Sequence, residues 1–282
     1  MSAIKRYITM IKFEHTIFAL PFAYIGMFMG FKNGIDIVTL ILVSIAMASA
    51  RSAAMSLNRI IDRHIDAKNA RTKNREIPSG KVKLKEAYFF TILSIIIFEL
   101  SAYLINDLAF MLSPIALFFI ITYSYTKRFT YLSHLYLGAT DAIAPLGGYV
   151  ASADGLNAPI WYLSIFVMLW IGGFDILYAL QDREFDAKNH LHSIPVKFGV
   201  KASLHISEAF HIIGFLFLIL SAYTFGLNYI SYIGFIAVAI LLVMEHKLID
   251  PNDVKKINLA FFNINSYISI MLFITFIAGK YL

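Results

Sequence analysis

Two stretches of this chain carry the same acidic signature. Residues 62–69 read Asp-Arg-His-Ile-Asp-Ala-Lys-Asn and residues 182–189 read Asp-Arg-Glu-Phe-Asp-Ala-Lys-Asn, identical at six of eight positions at an offset of 120 residues. Each copy sets two carboxylates four residues apart, a spacing that puts both on one helix face. Such pairs are hard oxygen donors of the kind Mg²⁺ takes while it keeps waters and bridges to substrate phosphates. The neighbouring cations Arg63, Arg71, Lys73, Arg75, Lys127 and Arg128 suit a diphosphate. Helical spacing lengthens both stripes: Arg51, Asn58, Asp62 and Asp66 in the first, Asp175, Tyr178, Asp182 and Asp186 in the second. One Asp pair beside an Arg reads as a solvated helix end. Two near-identical copies in a chain with only 18 acids favour function.

The elements that must position these groups follow from composition. The chain has 282 residues, 59% hydrophobic and only 15% charged, against about 25% charged in soluble domains. That excludes disorder and most soluble folds, and the absence of cysteine removes thiol catalysis and thiolate zinc sites. A bilayer-spanning helix needs roughly 17–25 mostly apolar residues. Uncharged runs of that size occupy 15–31, 108–126, 155–174 and 257–279, and 209–244 divides into two at Gly226-Leu227-Asn228. Three more, at 37–58, 86–106 and 131–152, each carry one ionisable residue (Arg51, Glu99, Asp141). The expectation is an all-α polytopic membrane protein, a bundle of nine transmembrane helices forming a single domain over 1–282. Strand-like alternation is missing from these runs, which disfavours a barrel.

Of the 24 Lys and Arg residues, 21 fall in the N-terminus and in segments 59–85, 127–128, 183–201 and 247–256. By the positive-inside rule these are cytoplasmic, so the protein is expected to be multi-pass in the inner (cytoplasmic) membrane, with its N-terminus and acidic motifs on the cytoplasmic side. The net charge of +6 thus reports topology, with no nucleic-acid partner implied. The offset of four helices between the motifs keeps both in one direction, suggesting a parallel internal repeat of helices 1–4 and 5–8. Asp175 follows the apolar approach Trp170 to Phe174, and ionisable groups at membrane depth are functional candidates by default. Internal repeats also suit a transporter. Here, however, the acids cluster at cytoplasmic helix ends beside cations, which favours an enzyme.

These motifs resemble those of the UbiA-type membrane prenyltransferases. Asn58-Arg59-x-x-Asp62-x-x-x-Asp66, continued by Arg71-Thr72-x-x-Arg75-x-x-Pro78-Ser79-Gly80, resembles the family's first motif. Asp175-x-x-Tyr178-Ala179-x-Gln181-Asp182-x-x-x-Asp186 resembles the second, and Tyr123-x-Tyr125-Thr126-Lys127-Arg128 the loop between them. The resemblance implies Mg²⁺-dependent transfer of a polyprenyl group from polyprenyl diphosphate to an aromatic acid acceptor within the lipid bilayer. It implies metal ligation by Asp62, Asp66, Asp182 and Asp186. Diphosphate contacts fall to Asn58, Arg71, Arg75, Tyr123, Lys127 and Arg128. Asp175, Tyr178 and Lys127 are the implied catalytic groups, with Asp175 acting on the acceptor hydroxyl and Tyr178 stabilising the cation or packing.

Departures bear on the acceptor. Glu76 stands where many members have Pro, and His190-Leu191-His192-Ser193 replaces a Gly-x-Lys-Ser stretch. The strings 50–55, 75–78 and 173–182 resemble a bacterial branch linked to menaquinone by the futalosine route, so either 4-hydroxybenzoate or a dihydroxynaphthoate is the implied acceptor. His15, His134, His205, His211 and His246 show no metal-ligand spacing with a carboxylate on a shared face. Gly147-Gly148 near Pro145 reads as helix packing or a kink.

Overall fold

The computed structural model describes residues 3–12, 16–32, 34–153, 155–249, 257 and 260–282; His15 and the Lys255–Lys256 part of the cationic segment lie outside them. Helices run in the order α1 (Ala3–Met10), α2 (Thr16–Gly30), α3 (Ile37–Ile61), α4 (Arg63–Lys68), α5 (Leu84–Ile105), α6 (Asp107–Thr126), α7 (Ser133–Asp141), α8 (Ile143–Ala153), α9 (Ala158–Ala179), α10 (Arg183–Lys188), α11 (Ile194–Phe225), α12 (Tyr229–Leu248) and α13 (Asn265–Tyr281). A 3₁₀ turn, Leu180–Asp182, joins α9 to α10, and a π turn, Ala260–Ile264, precedes α13.

The all-helical expectation holds among the described residues, but the count of nine spans is not reproduced. Seven helices are long and apolar enough to cross a bilayer. Two of the expected spans fall short. The first is α2, whose described apolar stretch is Ala19–Gly30. The second, 131–152, is divided into α7 and α8 at Ala142. Pro145 explains the division: without an N–H it cannot bond the carbonyl four residues back, and its ring crowds that carbonyl.

Local signals account for the helix ends. Asp36 caps α3 by accepting from the Val38 and Thr39 amides at 3.2 and 3.0 Å. Ser193 Oγ accepts from Val196 N at the start of α11, and Asn228 Oδ1 accepts from Ile230 N at the start of α12. Gly226, at φ 69°, ends α11 in the left-handed conformation that glycine adopts without a Cβ penalty. The expected turn at 226–228 is thus observed.

The chain divides into two compact units. One comprises Met1–Thr16 and Asp36–Tyr125, the other Ile17–Ile35 and Thr126–Leu282. In the first, α3 packs on α5 through buried hydroxyls: Thr91 Oγ1 donates to Ser56 Oγ at 2.7 Å. Between α5 and α6, Ser113 Oγ donates to Glu99 Oε2 at 2.7 Å, giving this intramembrane acid a partner. Met10, Ile11, Ile60, Val82 and Ala87 form a small apolar cluster beneath the end of α3.

In the second unit α9 is the core helix, buried over most of its surface, and Trp170 stacks on Phe166 at 6.0 Å and meets Phe22 of α2 at 5.3 Å. Small residues bring backbones together, as membrane helices require where apolar burial gives no preference over lipid. A Cβ built on Gly148 of α8 would lie 1.9 Å from the Ala23 carbonyl oxygen of α2, whereas one on Gly147 meets nothing within 4 Å. The packing role expected for this pair therefore belongs to Gly148. Lys280 of α13 donates to the Phe28 and Phe31 carbonyls at 2.6 and 2.8 Å and so closes the C-terminal end of α2.

Candidate functional site

The first acidic motif does not lie along one continuous helix. α3 ends at Ile61, and Asp62 sits between α3 and α4 at φ −89°, ψ 2°, yet the Asp62 and Asp66 amides still donate to the carbonyls four residues back at 2.9 and 2.8 Å. In the second copy α9 ends at Ala179, three residues before Asp182, and the 3₁₀ turn Leu180–Asp182 leads into the six-residue α10, with Asp182 at φ −99°, ψ 0°. This is the sparsely populated bridge region of backbone space. In both copies the closing Asn donates its N–H to carbonyls three and four residues back, Asn69 to Asp66 and Ile65, Asn189 to Asp186 and Phe185. The copies share the conformation of the first Asp and the six-residue helix after it but not of the closing residue, Asn69 at ψ 124° and Asn189 at ψ 15°, and in each copy the second carboxylate residue, Asp66 or Asp186, is buried.

Within the first unit, Asn58 Nδ2 donates to Asp62 Oδ2 at 3.0 Å and to Ser124 Oγ at 3.2 Å, joining α3 to α6. One turn earlier on α3, the Ala54 carbonyl accepts from the Tyr123 hydroxyl at 3.3 Å. Asp66 is held by Arg75, whose terminal nitrogen reaches both carboxylate oxygens at 2.7 and 2.9 Å. A residue expected to hold metal and one expected to meet the diphosphate thus meet each other. Thr72 Oγ1 donates to the Asp66 carbonyl at 3.1 Å, anchoring the segment that carries Arg75. The Arg71 side chain is exposed, and its backbone N–H donates to Asn69 Oδ1.

Within the second unit, Lys127 and Arg128 are half-buried, and the Lys127 carbonyl accepts from His192 N at 2.7 Å. That bond ties the 127–128 loop to the segment following the second motif. His190, just before it, adopts φ 56°, uncommon for a residue other than glycine. Tyr178 and Asp182 are half-buried, and the Tyr178 carbonyl accepts from Gln181 Nε2.

Asp175 has a partner that spacing alone did not identify. His134 Nδ1 lies 2.7 Å from Asp175 Oδ2, and His134 Nε2 accepts from the Ile194 amide at 3.4 Å. Gly138 makes the approach possible, and Gly172 lies at ordinary contact distance across from it. A Cβ on Gly138 of α7 would fall 2.1 Å from the Met168 carbonyl oxygen of α9, and one on Gly172 would lie 3.4 Å from the His134 carbonyl. Gly138, one turn from His134, is the signal in the sequence.

Three other histidines form pairs of their own. His205 pairs with Glu208 at 3.2 Å on the exposed face of α11. His211 Nε2 donates to the Trp170 carbonyl at 3.1 Å, and His211 Nδ1 accepts from His246 Nε2 at 2.9 Å. Glu245, beside them, accepts from Asn265 Nδ2 at 2.7 Å. This buried polar cluster links α9, α11, α12 and α13.

Among the described residues no group of three or more His, Asp or Glu side chains forms a ready metal cage. Each motif instead offers two carboxylates, the donor set that suits Mg²⁺ when phosphate oxygens and water complete its octahedron. The residues present fit that ion.

The model of the UbiA prenyltransferase family matches residues 19–267. The chain belongs to that family and is a multi-pass membrane enzyme. It is 30% identical over 249 residues to the 4-hydroxybenzoate octaprenyltransferase of Vesicomyosocius okutanii subsp. Calyptogena okutanii (strain HA), covering 88% of this chain and 90% of that protein. Its fold is similar to the apo structure of a UbiA homolog from Aeropyrum pernix K1, with TM-score 0.85, 32% identity and coverage of 94% and 97%. A UbiA homolog from Archaeoglobus fulgidus bound to GPP and Mg²⁺ shares the fold at TM-score 0.73 and 17% identity, covering 98% of this chain and all of that one.

Proposed function

We propose that this enzyme transfers a polyprenyl group from polyprenyl diphosphate to a ring carbon of an aromatic acid that serves as a quinone precursor. The observation that carries the reading is the duplicated Asp-x-x-x-Asp motif, with Asp62 and Asp182 in the same backbone conformation, in a chain of this family. The names of the relatives favour 4-hydroxybenzoate as acceptor, and the strings at 50–55, 75–78 and 173–182 favour a dihydroxynaphthoate. The cationic segments support a cytoplasmic position for both motifs in the inner membrane.

In this reading Asp62, Asp66, Asp182 and Asp186 hold Mg²⁺, which when bound neutralises charge on the diphosphate as it leaves. Arg71, Arg75, Lys127 and Arg128 add fixed positive charge there, and Asn58 and Tyr123 orient oxygens by hydrogen bonds. Arg75 and Asp66 neutralise each other without substrate. The allylic carbon–oxygen bond breaks, the carbocation is attacked by the ring carbon ortho to the hydroxyl, and the ring loses a proton. Asp175 positions the acceptor hydroxyl, takes its proton as the ring attacks and returns it to that oxygen as the ring carbon gives up its own proton to the departing diphosphate. Tyr178 presents an aromatic ring to the cation.

Mass analysis of products tests this. Purified protein with Mg²⁺, a polyprenyl diphosphate and each aromatic acid in turn yields an adduct heavier by one prenyl chain. EDTA stops turnover and Mg²⁺ restores it, and Asp62→Ala and Asp182→Ala insert and fold yet make no product. Undiminished turnover in EDTA, or in either variant, overturns the assignment.

A further inference from the structure

The His134–Asp175 contact is used by nothing described so far. Hydrogen-bond roles within it are determined. A backbone amide can only donate, so the Ile194 N–H requires the lone pair of His134 Nε2. The ring proton therefore sits on Nδ1 and donates to Asp175 Oδ2 at 2.7 Å. His134 is buried, 4% exposed, and held by three elements: its own α7, α9 through Gly138 against Met168, and the start of α11 through Ile194. The Asp175 side chain remains 23% exposed, and Oδ1 makes no hydrogen bond among the described residues. One carboxylate oxygen is thus clamped and the other is available.

We propose that His134 is a positioning residue for Asp175, clamping Oδ2 so that Oδ1 stands ready to take the proton of the acceptor hydroxyl. The inference rests on the acceptor-directed role of Asp175 in the function proposed above. His134 keeps its own proton throughout; the hydroxyl proton moves to Oδ1, leaving a more electron-rich ring for attack, and returns to that oxygen when the prenylated ring carbon gives up its proton to the departing diphosphate. The arrangement is the logic of a base oriented by a buried neighbour. A carboxylate on a lone side chain samples several rotamers, and the imidazole removes that freedom before substrate binds.

Two substitutions of similar bulk separate this from a packing role. In His134→Asn the amide Nδ2 lies near the position of the ring Nδ1 and still donates to Asp175. In His134→Gln the amide lies near Nε2, so no donor faces the carboxylate. We expect His134→Asn to keep kcat within about 10-fold of wild type, and His134→Gln to lose about 100-fold, the lower range for losing acid–base assistance. KM for the polyprenyl diphosphate stays within about 2-fold in both, since neither change touches the diphosphate groups. Adding His134→Gln to Asp175→Asn lowers kcat no further, because one function is already gone. Equal losses in the Asn and Gln variants, or additive losses in the double variant, overturn the role of His134. A wild-type enzyme that prenylates none of the aromatic acids instead overturns the acceptor reading, and this inference with it.

Discussion

Arg75→Leu isolates the charge pair at the heart of the first motif. The Asp66 side chain is 6% exposed, and its two oxygens are engaged by one Arg75 nitrogen at 2.7 and 2.9 Å. Removing the guanidinium leaves an ionised carboxylate in a site with little water, at a cost of about 3–5 kcal/mol. Arg75 itself is 26% exposed, so solvent already screens part of the attraction and the lower end, about 3 kcal/mol, is expected. Asp66→Asn added to Arg75→Leu removes the stranded charge and should recover about 2 kcal/mol, within the usual range for coupled neighbours. Denaturant titration in mixed micelles gives the four corners of this cycle, and product formation is measured alongside. Stability returns in the double variant but activity does not, because Asp66 is a proposed Mg²⁺ ligand. The reasoning fails if Arg75→Leu lies within about 0.5 kcal/mol of wild type, the range of an ordinary surface change. It fails equally if the second substitution restores nothing.

Two further outcomes follow from local geometry. Gly148→Ala should destabilise by about 1–3 kcal/mol, as overpacking does, because its Cβ would fall 1.9 Å from the Ala23 carbonyl. Gly147→Ala, with nothing within 4 Å, should be neutral or slightly stabilising through helix propensity; equal effects in the same titration would contradict the packing account. The Asp36 carboxyl lies below the ordinary carboxylate range because the Thr39 hydroxyl donates to it, helped by the Thr39 and Val38 amides. A depressed pKa means the cap's contribution is full above the ordinary range and is lost as pH falls through the lower folded value. Chemical shifts of the Val38 and Thr39 amides should therefore titrate in acid in the wild type and stay flat in Asp36→Asn.

Much of the architecture was legible because it depends on local spacing. Apolar runs long enough to span predicted α3, α5, α6, α9 and α12 within about five residues of where they lie, and α11 and α13 with starts displaced by more. Gly226 and Asn228 predicted the turn between α11 and α12, one supplying the left-handed conformation and the other the cap. The repeated octapeptide predicted two carboxylate clusters at corresponding helix ends, and in both copies an Asp near φ −90°, ψ 0° leads into a six-residue helix. The same local reasoning erred where periodicity was carried across a break. It ran Asp62 on along α3 and read 131–152 as one helix, although Pro145 stood inside it.

What the residues determine by themselves is the solvent, the secondary structure and the chemical alphabet of the site. Hydropathy, charge placement and the Asp repeat are properties of neighbours in the chain, and each is written in a period of a few residues. Tertiary structure decided the partnerships. Arg75 closes on Asp66 nine residues away, and His134 reaches Asp175 across 41 because Gly138 lets two helices approach to backbone contact. Gly147 and Gly148 are indistinguishable as letters, yet only one faces a neighbouring carbonyl. Distance in space between residues far apart in the chain depends on how helix faces interlock, and no local pattern encodes it.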